Sequence, residues 1–120
     1  MTAGMKTIIY PVNDLKAARR LYRALLGVEP YADEEYYIGF RVAGQELGLD
    51  PNGHAKGLTG PLGYWHVDDI HQTVDALIAQ GAQLQADITN VGGNRLIATI
   101  TDTDGNSFGL LQDPPAEKTP

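Results

Sequence analysis

The chain has 120 residues, with 9 Lys and Arg against 15 Asp and Glu, a formal net charge of −6 and no cysteine. That length suits one domain able to bury roughly two-thirds of its unfolded surface, and the absent cysteines exclude disulfides, zinc fingers, iron–sulfur clusters and thiol nucleophiles. The acidic balance argues against a nucleic-acid partner, no apolar run approaches the roughly 18–20 residues of a membrane span, and MTAGMK lacks the apolar stretch of a signal peptide, so a cytoplasmic protein with no membrane partner is expected.

In chain order, Lys6–Tyr10 (KTIIY) is β-branched and aromatic and reads as a strand, which Pro11 helps to end. Asn13 or Asp14 offers an oxygen to cap a helix over Asp14–Leu26. Its buried face is Leu15, Ala18, Tyr22, Leu25 and Leu26, with Gly27 as the stop. Val28–Tyr31 is a weak strand, and Asp33-Glu34-Glu35 reads as a turn. Tyr36–Val42 and Gln45–Asp50 then form a hairpin about Ala43-Gly44. Residues 51–61, rich in Gly and Pro and without periodicity, form a linker.

The order then repeats. Gly63–Val67 is a strand, Asp68 or Asp69 caps a helix whose stripe is Ile70, Val74, Leu77 and Ile78, and Gly81 ends it. Gln83–Asp87 is a strand that Ile88–Val91 can continue, and Gly92-Gly93-Asn94 is a turn. Arg95–Thr101 and Asn106–Gln112 make a second hairpin around Asp102-Thr103-Asp104-Gly105, followed by a loose tail over residues 113–120. The capping aspartates Asp14 and Asp69 lie 55 residues apart and the stop glycines Gly27 and Gly81 lie 54 apart. Order and punctuation agree, which points to a duplicated module, residues 5–50 and 62–112, within one domain.

The residues Val12-Asn13-Asp14-Leu15, Leu21-Tyr22-Arg23 and Leu26-Gly27, with His66-Val67-Asp68-Asp69-Ile70 and Asp102-Thr103-Asp104-Gly105-Asn106, carry a resemblance. The chain resembles the vicinal oxygen chelate superfamily, also called glyoxalase/bleomycin-resistance/dioxygenase, with Thr103 where a proline is usual and Leu21 in place of the first aromatic. The resemblance implies an α+β fold of two tandem βαβββ modules, forming a curved mixed sheet, or cup, with helices on the convex face and the site in the concavity. Family members that use a divalent ion hold it with side chains from the first and fourth strands of each module. Those positions fall here on Thr7, Gly48, Leu62 and Gly109, which include no usual metal ligand. No metal, other cofactor or catalytic residue is therefore expected.

Strand alternation assigns one face to the helices: Ile8, Tyr10, Ile38, Phe40, Val42, Leu47, Leu49, Trp65, Val67, Leu96, Ala98, Ile100, Phe108 and Leu110. The opposite face of the first module carries Thr7, Ile9, Tyr37, Gly39, Arg41, Glu46, Gly48 and Asp50. That of the second carries Leu62, Tyr64, His66, Ile97, Thr99, Ser107, Gly109 and Leu111. Apart from Leu111, these are the candidate ligand-binding residues: apolar and aromatic walls with sparse polar groups suit an organic molecule. Strand glycines at 39, 48 and 109 would leave it room, and Glu46 with Asp50 would favour a cation. His66 has the parity of this face, while His54 and His71 read as solvated. The leading expectation is a metal-free protein of the bleomycin-resistance type that sequesters a bulky, partly aromatic natural product or antibiotic. The resemblance also implies a homodimer. Two alternatives stand beside it: a lyase, isomerase or dioxygenase of the same superfamily, and a degenerate module that binds another protein, with Tyr37, Tyr64 and Leu62 filling the cup.

Overall fold

The computed structural model describes residues 2–115, which fall into two compact units: residues 6–63, and the remaining described residues. The chain runs β1 (Thr2–Pro11), α1 (Leu15–Leu26), β2 (Ala32–Glu34), β3 (Tyr37–Val42), β4 (Gln45–Asp50), β5 (Leu62–Val67), α2 (Ile70–Ala79), β6 (Gln83–Asn90), β7 (Leu96–Thr101) and β8 (Ser107–Gln112). It is an α+β fold made twice from the order βαβββ.

In the first unit the strands lie in the order β2-β3-β4-β1. β4 is antiparallel to β3 and parallel to β1, the pairing that a strand–helix–strand crossover requires. Helix α1 starts where the Asp14 side chain accepts the N–H of Ala17 at 3.0 Å. It stops at Gly27, whose φ of 71° lets its N–H reach the Arg23 carbonyl. Its inner stripe, Leu15, Ala18, Tyr22 and Leu26, packs on the buried Ile38, Phe40 and Leu49. Each of those three strand side chains contributes about 1.5–3 kcal/mol by leaving water. Tyr22 meets Tyr10 edge-on with ring centroids 5.2 Å apart, and burial, then Tyr10, raises its phenol above the ordinary 10.0.

The second unit repeats the plan, with strand order β5-β8-β7-β6 and β5 parallel to β8. Asp69, rather than Asp68, caps α2, accepting from Gln72 N at 3.1 Å, and Gln112 accepts the Ile70 N–H at 2.7 Å. Val67, Ile70, Val74, Ala98, Ile100 and Leu110 form the buried core.

Several local expectations change. β1 begins at Thr2 rather than Lys6, and Pro11 is its last residue. Ala32–Glu34 is a strand, not a turn: it pairs antiparallel with β3, and Arg19 holds Asp33 at 2.9 Å, so a partner overrides the turn signal of an acidic cluster. The turn falls at Glu35-Tyr36. Leu25, placed on the inner face of its helix, is 73% exposed. Trp65 has the parity of the helix-facing side, yet it is 37% exposed: α2 packs on β6, β7 and β8, and of β5 it is Val67, at the strand's end, that joins the core with Ile70 and Val74. The linker contains a 3₁₀ turn, His54–Lys56. The start of the expected loose tail is anchored: Asp113 accepts from Arg95 Nε at 2.7 Å. Residues 116–120 of that tail lie outside the described residues. No described helix is long and apolar enough to cross a membrane.

Candidate functional site

On the face of the first module away from α1, side chains line up in cross-strand rows. Thr7 of β1 pairs with Glu46 of β4, and Glu46 with Arg41 of β3. Thr7 is 1% exposed and Glu46 9%. Arg41 Nε stands 3.6 Å from Glu46 Oε2, and its guanidinium carbon lies 3.9 Å from the centroid of the Tyr31 ring, an arrangement that attracts a cation to an aromatic face. The next row, Ile9–Gly48–Gly39–Ala32, has no side chain at its two central positions. Two tyrosines use that space. A Cβ built on Gly39 would meet Tyr31 Cζ at 2.6 Å, and one on Gly48 would strike the Tyr37 hydroxyl and, at 2.6 Å, Ile9 Cδ1. Tyr31 is itself tied to β3, its N–H donating to the Gly39 carbonyl at 2.9 Å.

The corresponding face of the second module is built the same way. Tyr64 pairs with Gly109 and Gly109 with Thr99, and the Tyr64 ring covers Gly109 so closely that a Cβ there would strike its Cγ, Cδ2 and Cε2 atoms. Tyr64 and Leu62 are buried, at 6% and 5% exposure. His66 lies opposite Leu111, and Leu111 opposite Ile97. His66 Nδ1 is 3.6 Å from Asp113 Oδ2, the other oxygen of the carboxylate that Arg95 holds. Ser107 Oγ donates to Gln85 Oε1 at 2.7 Å and Thr101 Oγ1 to the same atom at 2.9 Å.

The sequence-based candidates thus gather into two faces, one per module, and two properties expected of them change. The glycines at 39, 48 and 109 leave no empty room, because tyrosine rings lie in the volume that a Cβ would need. Glu46 and Asp50 offer no uncompensated charge for a cation: Glu46 faces Arg41, while Asp50 accepts from Lys56 Nζ at 2.9 Å and from the Asn52 N–H at 2.8 Å. At the four family metal positions the donor set does not fit a divalent ion: one buried threonine, one leucine and two glycines under tyrosine rings. Among the described residues no three His, Asp or Glu side chains converge. Sequence reading missed Tyr31, Asp113, Arg95 and Gln85. A strand glycine that needs a filling neighbour was the available signal for Tyr31; the others act through contacts distant in sequence.

Two βαβββ units, each with a helix-covered face and a tyrosine-on-glycine face, define a duplicated α+β protein. The sequence matches the model of the Glyoxalase/Bleomycin resistance protein/Dioxygenase superfamily over residues 4–110, and the chain belongs to that superfamily. No curated protein sequence matches it. Among solved structures it is similar to a hypothetical protein of Bacillus halodurans (12% identity, 96% of this chain and 97% of that one, TM-score 0.78). It is also similar to methylmalonyl-CoA epimerase of Mycobacterium tuberculosis (22% identity, 95% and 90%, TM-score 0.70). A third is a glyoxalase/bleomycin resistance protein/dioxygenase superfamily member of Vibrio splendidus (18% identity, 95% and 100%, TM-score 0.63). At these identities the likeness is one of fold.

Proposed function

We propose that the chain is a small-molecule binding protein of the bleomycin-resistance type, which sequesters a planar, partly aromatic natural product or antibiotic without transforming it and without a metal ion. The observation that carries this reading is the exposed Arg41 guanidinium stacked on the 42% exposed Tyr31 ring, a pair of planes open to a planar partner. Tyr31, Tyr37 and Arg41 supply aromatic and guanidinium planes beside the Glu46 carboxylate. On the second module Tyr64 is buried on Gly109, and the groups beside it are the His66 imidazole and the Thr99 hydroxyl. The test is calorimetric titration against planar antibiotics, with recovery of each compound by mass spectrometry. A stoichiometric complex with unchanged compound is expected, weakened about tenfold or more by Tyr37→Ala. Turnover of the bound compound would overturn the reading.

One observation favours a second reading, an isomerase or lyase. His66 Nδ1 lies 3.6 Å from the Asp113 carboxylate, which places an imidazole beside a charged partner on the candidate face, where it can serve in proton transfer. Two of the structures similar in fold are a methylmalonyl-CoA epimerase of Mycobacterium tuberculosis and one of Streptomyces coelicolor in complex with 2-nitronate-propionyl-CoA. If the chain turns over such a thioester, His66→Ala abolishes that activity; an active His66→Ala protein removes His66 from the chemistry.

A further inference from the structure

On the helix side of the second module, away from the tyrosine-on-glycine face, an open groove of about 680 Å³ lies along α2. Strand alternation sends Trp65 of β5 and Phe108 and Leu110 of β8 to this side. Trp65 and Leu110 are register partners, so these three residues form the floor. Thr73, Ala76 and Leu77 of α2 form a wall, and steps of three and four residues put them on one helical face. Asp68 and Asp69, the link from β5 to α2, close one end. From Asp69 to Leu77 the helix rises roughly 12 Å, long enough for a bicyclic or tricyclic molecule, and the volume is of the size that holds small organic ligands. Trp65 is 37% exposed, so a ring can be laid against it.

The end of the groove selects by charge. Its lining has two carboxylates and no lysine, arginine or histidine. Asp69 Oδ1 is engaged as the helix cap, whereas Asp68 is exposed and has no hydrogen-bond or ion-pair partner among the described residues. A helix N-terminus ordinarily attracts anions through its open N–H groups. Here the Ile70 N–H donates to Gln112 Oε1, the Gln72 N–H to Asp69 Oδ1 and the Thr73 N–H to the Asp69 carbonyl. An anion would therefore meet two like charges and three donors already engaged. The charge of the module acts in the same direction. Six of the nine Lys and Arg lie in residues 5–50, whereas residues 62–112 hold six carboxylates with Arg95 as their one such cation, and Asp113 holds Arg95. A cation is favoured both by that field and by the indole face.

We infer that this groove is a second binding site, for an organic cation whose aromatic body lies against Trp65, Ala76 and Phe108 and whose protonated or quaternary amine lies at the Asp68 end. The apolar floor supplies affinity and the carboxylate end supplies orientation, the division of labour usual in small-molecule sites. A bare metal ion does not fit, because among the described residues no third ligand joins the two aspartates. Trp65 points to the opposite face of β5 from Tyr64 and His66, so the inference stands apart from the function proposed above.

Trp65 is the one tryptophan, so its indole N–H gives a single NMR resonance that reports on the groove. Naphthylmethylamine, the neutral naphthylmethanol and the anionic naphthoate share one ring system and differ in charge. The amine is expected to shift that resonance saturably, with a dissociation constant at or below about 1 mM, the alcohol to bind about tenfold more weakly and naphthoate not at all. Asp68→Asn keeps the shape of an exposed side chain. It lowers the affinity for the amine to that for the alcohol and leaves the alcohol unchanged, a split that a merely structural effect would not produce. Ala76→Arg, at an exposed helical position, blocks both compounds, and Tyr37→Ala alters neither titration. Equal binding of amine and alcohol by the wild type overturns the inference, as does a preference for the amine that survives Asp68→Asn or binding that survives Ala76→Arg. Loss of the shift in Tyr37→Ala overturns it by moving the site to the tyrosine face. A resonance that the amine does not move, or that moves with protein concentration alone and so gives the groove to a second copy, overturns it too.

Discussion

A glycine beneath a tyrosine ring is worth more or less to the fold according to how that ring is held. At Gly39 the atoms in the way are the far end of Tyr31, a residue 42% exposed, so the ring can swing outward. At Gly109 the obstructing atoms include Tyr64 Cγ, which moves only if χ1 changes, and Tyr64 is 6% exposed, so the ring has little free space to turn into. Gly109→Ala should therefore destabilise the protein by about 2–3 kcal/mol, and Gly39→Ala by less than about 1 kcal/mol, with Gly48→Ala between them. Urea unfolding of the three variants checks the order. Equal costs would mean that the rings are not what these glycines accommodate. Strand parity made these positions legible as special, since glycine weakens a strand unless something comes close. It could not show that the close neighbours are this chain's own tyrosines, because Tyr31 reaches Gly39 from outside the strand alternation.

Among elements, those with chemical punctuation were legible and those held by distant partners were not. The two helices begin at Asp14 and Asp69 and follow apolar stripes at three- and four-residue steps, all local properties. β2 has an acidic, turn-like composition and exists because β3 pairs with it and Arg19 grips Asp33; Trp65 read as core because parity cannot tell how far a helix extends over a sheet. The β7–β8 turn is legible and also pH-sensitive. Asp102 accepts the Asn106 side-chain amide at 3.0 Å and the N–H groups of Asp104 and Asn106 at 2.9 Å each. These hydrogen bonds, the Asn106 side chain first, hold its carboxyl below the ordinary 3.8. A carboxyl lowered on folding stabilises the protein above its unfolded pKa, and that contribution is lost as pH falls through the folded value. The stability difference between wild type and Asp102→Asn should thus be greatest near neutral pH and shrink as the solution is taken below pH 3.8. Unfolding curves over that range measure it, and a constant difference would remove Asp102 from the acid response.

At the scale of the whole molecule, duplication has kept the architecture while the two halves diverged in charge and in the groups on their faces. The first module sets an arginine on a tyrosine ring, and the second sets a histidine against an aspartate. A ligand held by such faces stabilises the native chain by mass action. At one hundred times its dissociation constant a single-site ligand adds about 2.7 kcal/mol, which for a chain of this size raises the unfolding temperature by roughly 8–12 °C. The time course of that shift separates the two functional readings. A sequestered compound gives a shift that is the same after seconds and after hours, is unaltered by a chelator and is lost in Tyr37→Ala. A substrate gives a shift that decays toward that of its product, and His66→Ala stops the decay without removing the initial rise. The steady, chelator-independent shift is the expected result, and a decaying one would transfer the assignment from binding to catalysis at His66.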